Sequence, residues 1–138
     1  MKLFASWRYV NSFTIPLVLK ARENAYCPYS GYYVGAAILT QNGEIFSGCN
    51  VENSSYGGTN CAERVAIQKA VSEVGKVQIK KVMVVTNANP PWPPCGFCRQ
   101  VIAEFALDGA IIYTANTDQE VLIYTFEELF PASFKLMK

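Results

Sequence analysis

TNCAERVAIQKAVSEVG, residues 59–75, and PPCGFCRQVIAEF, residues 93–105, are the stretches on which the reading of this chain turns. Both carry apolar residues at helical spacing, and both place cysteine where the helix begins. The first ends at Gly75, a residue suited to a helix C-terminus. In the second, Cys95 and Cys98 are spaced C-x-x-C, so both sulfurs lie on one face of a first turn and can meet one ion. Free amide N–H groups at a helix start favour thiolate over thiol, and Cys61 stands in the same setting. Three thiolates match zinc, at about 2.3 Å per bond. A structural zinc site closes with a fourth protein ligand, whereas a catalytic one leaves that position to water. Glu63 lies two residues after Cys61, and at about 3.6 residues per turn the two side chains diverge. The carboxylate is therefore free to reach the water rather than the metal. Zinc lowers the pKa of bound water to about 7, and a carboxylate in reach can accept that proton and hand it on.

Each of these features has a plainer reading. Glu63 also fits a capping box with Asn60 as N-cap. Cys95 and Cys98 alone fit a redox pair of thioredoxin type. Cys49 or Cys27 could complete a closed zinc site, although Cys49 also reads as a small buried core residue. The two motifs together weigh against these rivals, because a redox pair has no need of CAE and a capping box has no need of PCxxC.

Working outward, FTIPLVLKARENAY, residues 13–26, reads as a helix with Pro16 in its first turn. CPYSG breaks it. YYVGAAILT and EIFSGCNVE read as strands joined at QNG, an Asn-Gly hairpin signal. IKKVMVVT reads as a buried strand, and PPWPP forces an extended loop, since proline cannot donate to a ladder. Strands follow near AIIYTA and EVLIYT, and FEELF makes a short last helix. The order predicts one domain over residues 1–138, a three-layer α/β/α sandwich with a mixed five-stranded sheet.

The 138 residues are 51% hydrophobic, ample for one packed core. Twelve basic residues against eleven acidic leave no surplus for a nucleic-acid face. No run of about 18 apolar residues exists, so no transmembrane helix is expected. In MKLFASWRYVNSFTIPLVLK, Arg8, Asn11 and Ser12 interrupt the apolar run, and the segment reads as mature sequence rather than a signal peptide. Residues 1–12, with Trp7 and Tyr9, receive no role. Five cysteines, an odd number, fit a reducing compartment, with the cytoplasm as default.

The motifs resemble the cytidine deaminase family, small nucleoside-type zinc enzymes. A glutamate general acid/base paired with P-C-x-x-C is an established zinc deaminase signature. ARENAYCPYSGYYVGAAILTQNGEIFSGCNVENSSYGGTNCAER resembles, in order, the family's A-Y-x-P-Y-S, V-G-A-A and G-x-N-x-E-N segments. CRQVIAEF and EELFPASF continue the likeness, which spans roughly residues 17–134. The resemblance implies that Cys61, Cys95 and Cys98 bind one zinc ion per chain and that Glu63 shuttles the proton. It implies that Asn50 and Glu52 hydrogen-bond the ribose hydroxyls. Strand alternation points both side chains to one face, which fits a shared task; a turn residue and a solvated strand end are the plainer readings. The backbone of Ala62 and the carbonyls around Pro94 and Cys95 would read the amide edge of the base.

Tyr32 stands where the family has a phenylalanine stacking near the ring, and it adds a hydroxyl. Tyr56 falls in a loop that, by the resemblance, reaches a neighbouring active site. Phe134 matches an aromatic that packs near the base. Plain core or interface is the competing reading for both. Arg64 follows the glutamate, as in three-cysteine members of the family. Three thiolates and Zn²⁺ sum to one net negative charge, which opposes ionisation of bound water. A guanidinium donating to sulfur withdraws charge and restores the acidity. The plainer reading of Arg64 is a surface salt bridge, and Arg99 is a weaker candidate for the same task.

The reaction implied is hydrolytic deamination of cytidine and 2′-deoxycytidine to uridine and 2′-deoxyuridine with release of ammonia, in pyrimidine salvage. The resemblance also implies a homotetramer with shared active sites. Tyr32 keeps open a related cytosine compound, such as a nucleoside antibiotic, as substrate. Deamination within DNA or RNA is disfavoured by the charge balance. A non-catalytic zinc protein on this fold would have no use for Glu63.

Overall fold

The computed structural model describes residues 3–6 and 14–136. Along the chain run β1 (Leu3–Ser6), α1 (Thr14–Arg22), β2 (Gly35–Thr40), β3 (Ile45–Cys49), a 3₁₀ turn (Tyr56–Gly58), α2 (Ala62–Val74), β4 (Ile79–Thr86), α3 (Gly96–Phe105), β5 (Ala106–Asn116), β6 (Glu120–Thr125) and α4 (Phe126–Leu129). The strands form one sheet in the order β1-β6-β5-β4-β2-β3. Among the described strands, only β4 and β5 pair in parallel, and α3 supplies the crossover that a parallel pair requires.

The expected mixed sheet of five strands is β2 to β6, and β1 adds a sixth at the edge. Its pairing runs from Leu3↔Ile123 to Ser6↔Glu120. Four residues without alternation or turn signals announce no strand; the free edge of β6 is what makes one. The expected helix start at Phe13 lies outside the described residues. Its expected end at Tyr26 is corrected to Arg22. Tyr26 donates its N–H to Asn50 O instead (3.0 Å), and Glu52 N donates back to Tyr26 O (2.8 Å). Strand β5 begins at Ala106, earlier than its apolar run, because Ala106 pairs with Ile79 before an irregularity in register.

Alternation along the strands separates two cores. Ala36, Ile38, Val82, Val84 and Ile112 join Ala66, Ile67, Ala70 and Ile102 of the α2/α3 side. Ala37, Met83, Val85 and Ala115 join Ile15 and Val18 of α1 on the opposite face. The result is the expected three-layer α/β/α arrangement, and burial on both faces explains why β4 is continuously apolar from Val82 to Val85, past the two lysines near its start. Gly48 lets α2 lie directly on β3. A Cβ there would stand 2.6 Å from Ala66 N and 2.8 Å from Ala62 O. The helix start that bears Cys61 and Glu63 is seated by this contact.

Candidate metal centre and active site

Helices α2 and α3 both begin at a cysteine. Cys61 is the N-cap of α2 and Cys95 that of α3, each with extended backbone and no side-chain capping hydrogen bond. Neither sulfur is spent on capping, and both stand at the positive end of a helix. Cys98 follows in the first turn of α3, fully buried. The three sulfurs lie within 4.8 Å of one another, with Cys61 and Cys95 3.6 Å apart. Tetrahedral zinc with bonds of about 2.3 Å separates its sulfurs by about 3.8 Å. The cluster fits that ion, and soft thiolates suit it chemically.

Among the described residues, no other cysteine, aspartate or glutamate joins the cluster. This corrects the closed-site reading, since Cys27 and Cys49 stay outside the group as free thiols. The capping-box reading is corrected as well. Asn60 is not the N-cap, and its Nδ2 donates to Gln68 Oε1 (3.0 Å). The chain does hold a capping box, but at α4, between Thr125 and Glu128. With Cys61 in the group, Cys95 and Cys98 are not an isolated redox pair.

The electrostatics separate the thiols. The pKa of Cys61 is drawn down to about 5 by the hydrogen bond from Cys98, with Arg64 and Cys95 adding to it. That same bond, together with burial, pushes Cys98 up. Glu63 is only 3% exposed. Burial, and then the Cys61 charge, raise its pKa to about 7. Arg64 donates from Nη2 to Cys61 Sγ and to Thr59 O, both at 3.4 Å, and its guanidinium lies 5.4 Å from the Phe97 ring centre. It therefore serves sulfur rather than a surface carboxylate. Arg99 does not: it donates to Pro94 O (2.8 Å) and Leu129 O (2.7 Å), bracing the proline loop against α4.

Beside the cluster opens a cavity of about 370 Å³, lined by Cys61, Ala62, Glu63 and Cys95 at one end and by Asn50, Glu52 and Tyr32 elsewhere. Asn50 is buried, and its amide is engaged by backbone: Nδ2 donates to Tyr32 O (2.7 Å), and Oδ1 accepts from Val34 N (2.9 Å). Glu52 accepts from Tyr29 N (2.9 Å), Ser30 N (3.1 Å) and Ser30 Oγ. The Ser30 hydroxyl, ahead of the two amides, holds its carboxyl below the ordinary carboxylate range. Both side chains therefore hold the loop that presents Tyr32, beyond any task toward a ligand. Tyr56 and Phe134 are not among the lining residues. Tyr56, 76% exposed, meets the edge of the Tyr29 ring. Phe134, 66% exposed, lies over the outer face of α3 with Gln100, Val101 and Phe105. Neither completes the cavity of its own chain.

Trp92, Pro93, Ser30 and Thr59 also line the cavity and were not singled out from sequence. The available signal was an indole between prolines, three residues before a metal ligand.

A model of the cytidine and deoxycytidylate deaminase zinc-binding region matches residues 10–114. The chain belongs to the cytidine deaminase family. The cytidine deaminase of Sporosarcina psychrophila is 49% identical over 115 residues, covering 83% of this chain and 84% of that protein. That of Halalkalibacterium halodurans is 46% identical over 116 residues, covering 84% and 87%. The crystal structure of cytidine deaminase from Burkholderia pseudomallei aligns with a TM-score of 0.84 at 38% identity, over 90% of this chain and 98% of that one. Membership of the cytidine deaminase family makes the chain an enzyme and zinc its cofactor, one ion per chain at the three-thiol cluster.

Proposed function

We propose that this enzyme hydrolyses cytidine and 2′-deoxycytidine to uridine and 2′-deoxyuridine, releasing ammonia, as a step of pyrimidine salvage. One observation carries the reading: the buried Glu63 shares a cavity with a three-thiol cluster that has no fourth protein ligand among the described residues. Cys61, Cys95 and Cys98 would hold the zinc, which when bound supplies the Lewis acidity that makes water a nucleophile near neutral pH. Glu63 takes a proton from the attacking water, delivers it to N3 of the ring, and then assists the departing amine. A carboxylate raised to about 7 is matched to both halves of that transfer. Arg64 draws charge from the Cys61 sulfur. The backbone of Ala62 and the carbonyls near Pro94 and Cys95 orient the base. Asn50 keeps one amide hydrogen and Glu52 a lone pair for the ribose hydroxyls. Tyr32 forms part of the wall beside the ring.

Residues 1–138 act as one deaminase unit that assembles as a homotetramer, in which Tyr56 reaches a neighbouring site and Phe134 packs near a base. The exposure of Tyr56, Phe97 and Phe134 supports that assembly. Five free cysteines support a cytoplasmic setting. No described helix is long and apolar enough to cross a membrane.

The test follows cytidine and deoxycytidine by absorbance, with and without a chelator. Turnover is expected to vanish on chelation and to return with zinc. A protein that holds about one zinc per chain yet leaves both nucleosides untouched rejects the reading. Light scattering checks the assembly against four times 15.3 kDa.

A further inference from the structure

The mechanism leaves one large side chain of the cavity without a task. Trp92 lines the same space as Glu63, Cys61 and Cys95. Its ring centre lies 4.4 Å from that of Tyr32, with the planes tilted by 46°. Trp92 is 43% exposed and Tyr32 39%, so this pair is not ordinary core packing. The two rings form a wall at the cavity mouth.

The wall is stiff. Pro90, Pro91, Pro93 and Pro94 flank Trp92, and each ring fixes one backbone torsion. Arg99 holds the end of this loop through Pro94 O (2.8 Å). Asn87, at its start, accepts from Tyr33 N (3.1 Å) and so ties the proline loop to the loop of Tyr32. On the other side, Tyr32 donates its N–H to Ser30 Oγ (3.1 Å), and its carbonyl accepts from Asn50. Segments far apart in sequence are thus joined where they hold the two rings. The indole is also close to the chemistry, since the three residues from Trp92 to Cys95 span at most about 11 Å.

Resting on the pyrimidine reading above, we infer that Trp92 is a specificity-determining residue. Together with Tyr32 it forms a fixed aromatic wall that contacts the cytosine ring and bars rings enlarged at C5 or at the exocyclic N4. A flexible wall would give way to an added methyl group. With the backbone on both sides of the indole held by proline and its ring against Tyr32, the wall yields only by turning the ring itself, so an added methyl meets overlap that lowers kcat/KM. Aromatic contact with the unsubstituted ring contributes affinity of the kind seen in base stacking.

The test compares kcat/KM for cytidine, 5-methylcytidine and N4-methylcytidine in the wild type, Trp92→Ala and Trp92→Phe. Trp92→Ala should lose about tenfold on cytidine, mainly through KM. Its preference for cytidine over the methylated nucleosides should fall by about tenfold or more. Trp92→Phe should fall between the two. Zinc content and melting temperature show whether each variant is folded. A second measurement does not depend on truncation. The chain has two tryptophans, so in Trp7→Phe the remaining indole is Trp92, and saturating uridine should change its emission. An unchanged preference in both variants, or an emission indifferent to uridine, overturns the inference. A wild type that does not turn over cytidine rejects the pyrimidine reading itself, and the wall's assigned role with it. Normal turnover with an unmoved preference rejects the wall alone.

Discussion

Glu63 and the three thiols stand on the first turns of two helices, whereas Tyr32, Asn50 and Glu52 stand in a loop and just past the end of a strand. At the metal end, positions are inherited from helical geometry, and the seat of α2 on Gly48 fixes them against the sheet. At the loop end, the positions depend on a few side-chain hydrogen bonds made by Asn50, Glu52 and Ser30. The difference teaches that the two ends should fail differently. Damage to the metal end removes a step of the chemistry. Damage to the loop end weakens binding by degrees.

The strongest break is Glu63→Gln. It keeps the shape of the side chain but cannot carry the proton, so kcat should fall about 10³-fold while zinc content stays unchanged. Retained turnover in a zinc-loaded variant would show that the proton travels by another route. Next comes Gly48→Ala. The added carbon meets backbone atoms of α2 at 2.6 and 2.8 Å, which cannot swing aside as a side chain would. A loss of about 2 kcal/mol in urea unfolding is expected, together with reduced activity. Unaltered stability would mean that α2 is not seated there.

Asn50→Ala tests the loop end. It removes a buried side chain and leaves Val34 N and Tyr32 O, both part-buried, without their partner. A stability loss of about 1–2 kcal/mol is expected, with a raised KM and normal zinc content. Lost zinc would contradict the division between the two ends. The smallest effect is at Glu52. Its folded carboxyl binds protons less tightly than the unfolded one, whose pKa is about 4.3. Its contribution is therefore complete above that value and is lost as pH falls through the lower, folded value. Glu52→Gln should flatten the decline of melting temperature on acidification, and parallel curves for variant and wild type would remove Glu52 from the account.

The same contrast runs through what the chain discloses in one dimension. Strand β4 (Ile79–Thr86) and strand β6 (Glu120–Thr125) cover the stretches IKKVMVVT and EVLIYT that read as strands. Helix α2 ends at Val74, just before the expected stop at Gly75. Strand β1 and the early end of α1 were not legible, because the edge of β6 and the carbonyl of Asn50 decide them. Asn60 and Glu63 share the spacing of a capping box, yet Cys61 occupies the cap. Local spacing alone could not separate those outcomes. Trp92 was legible as a residue of an extended loop but not as part of a cavity wall.

By itself, the sequence determined the metal end. A thiol at each helix start, a second thiol three residues on and a carboxylate two residues on are placed by the helix, whose rise of about 1.5 Å per residue holds neighbours in sequence close in space. Only the tertiary structure decided the other end. Asn50 reaches Tyr32 across 18 residues, and Asn87 reaches Tyr33 across 54. Contacts at such separations leave no period in the sequence, because they exist only after the sheet has brought their loops together.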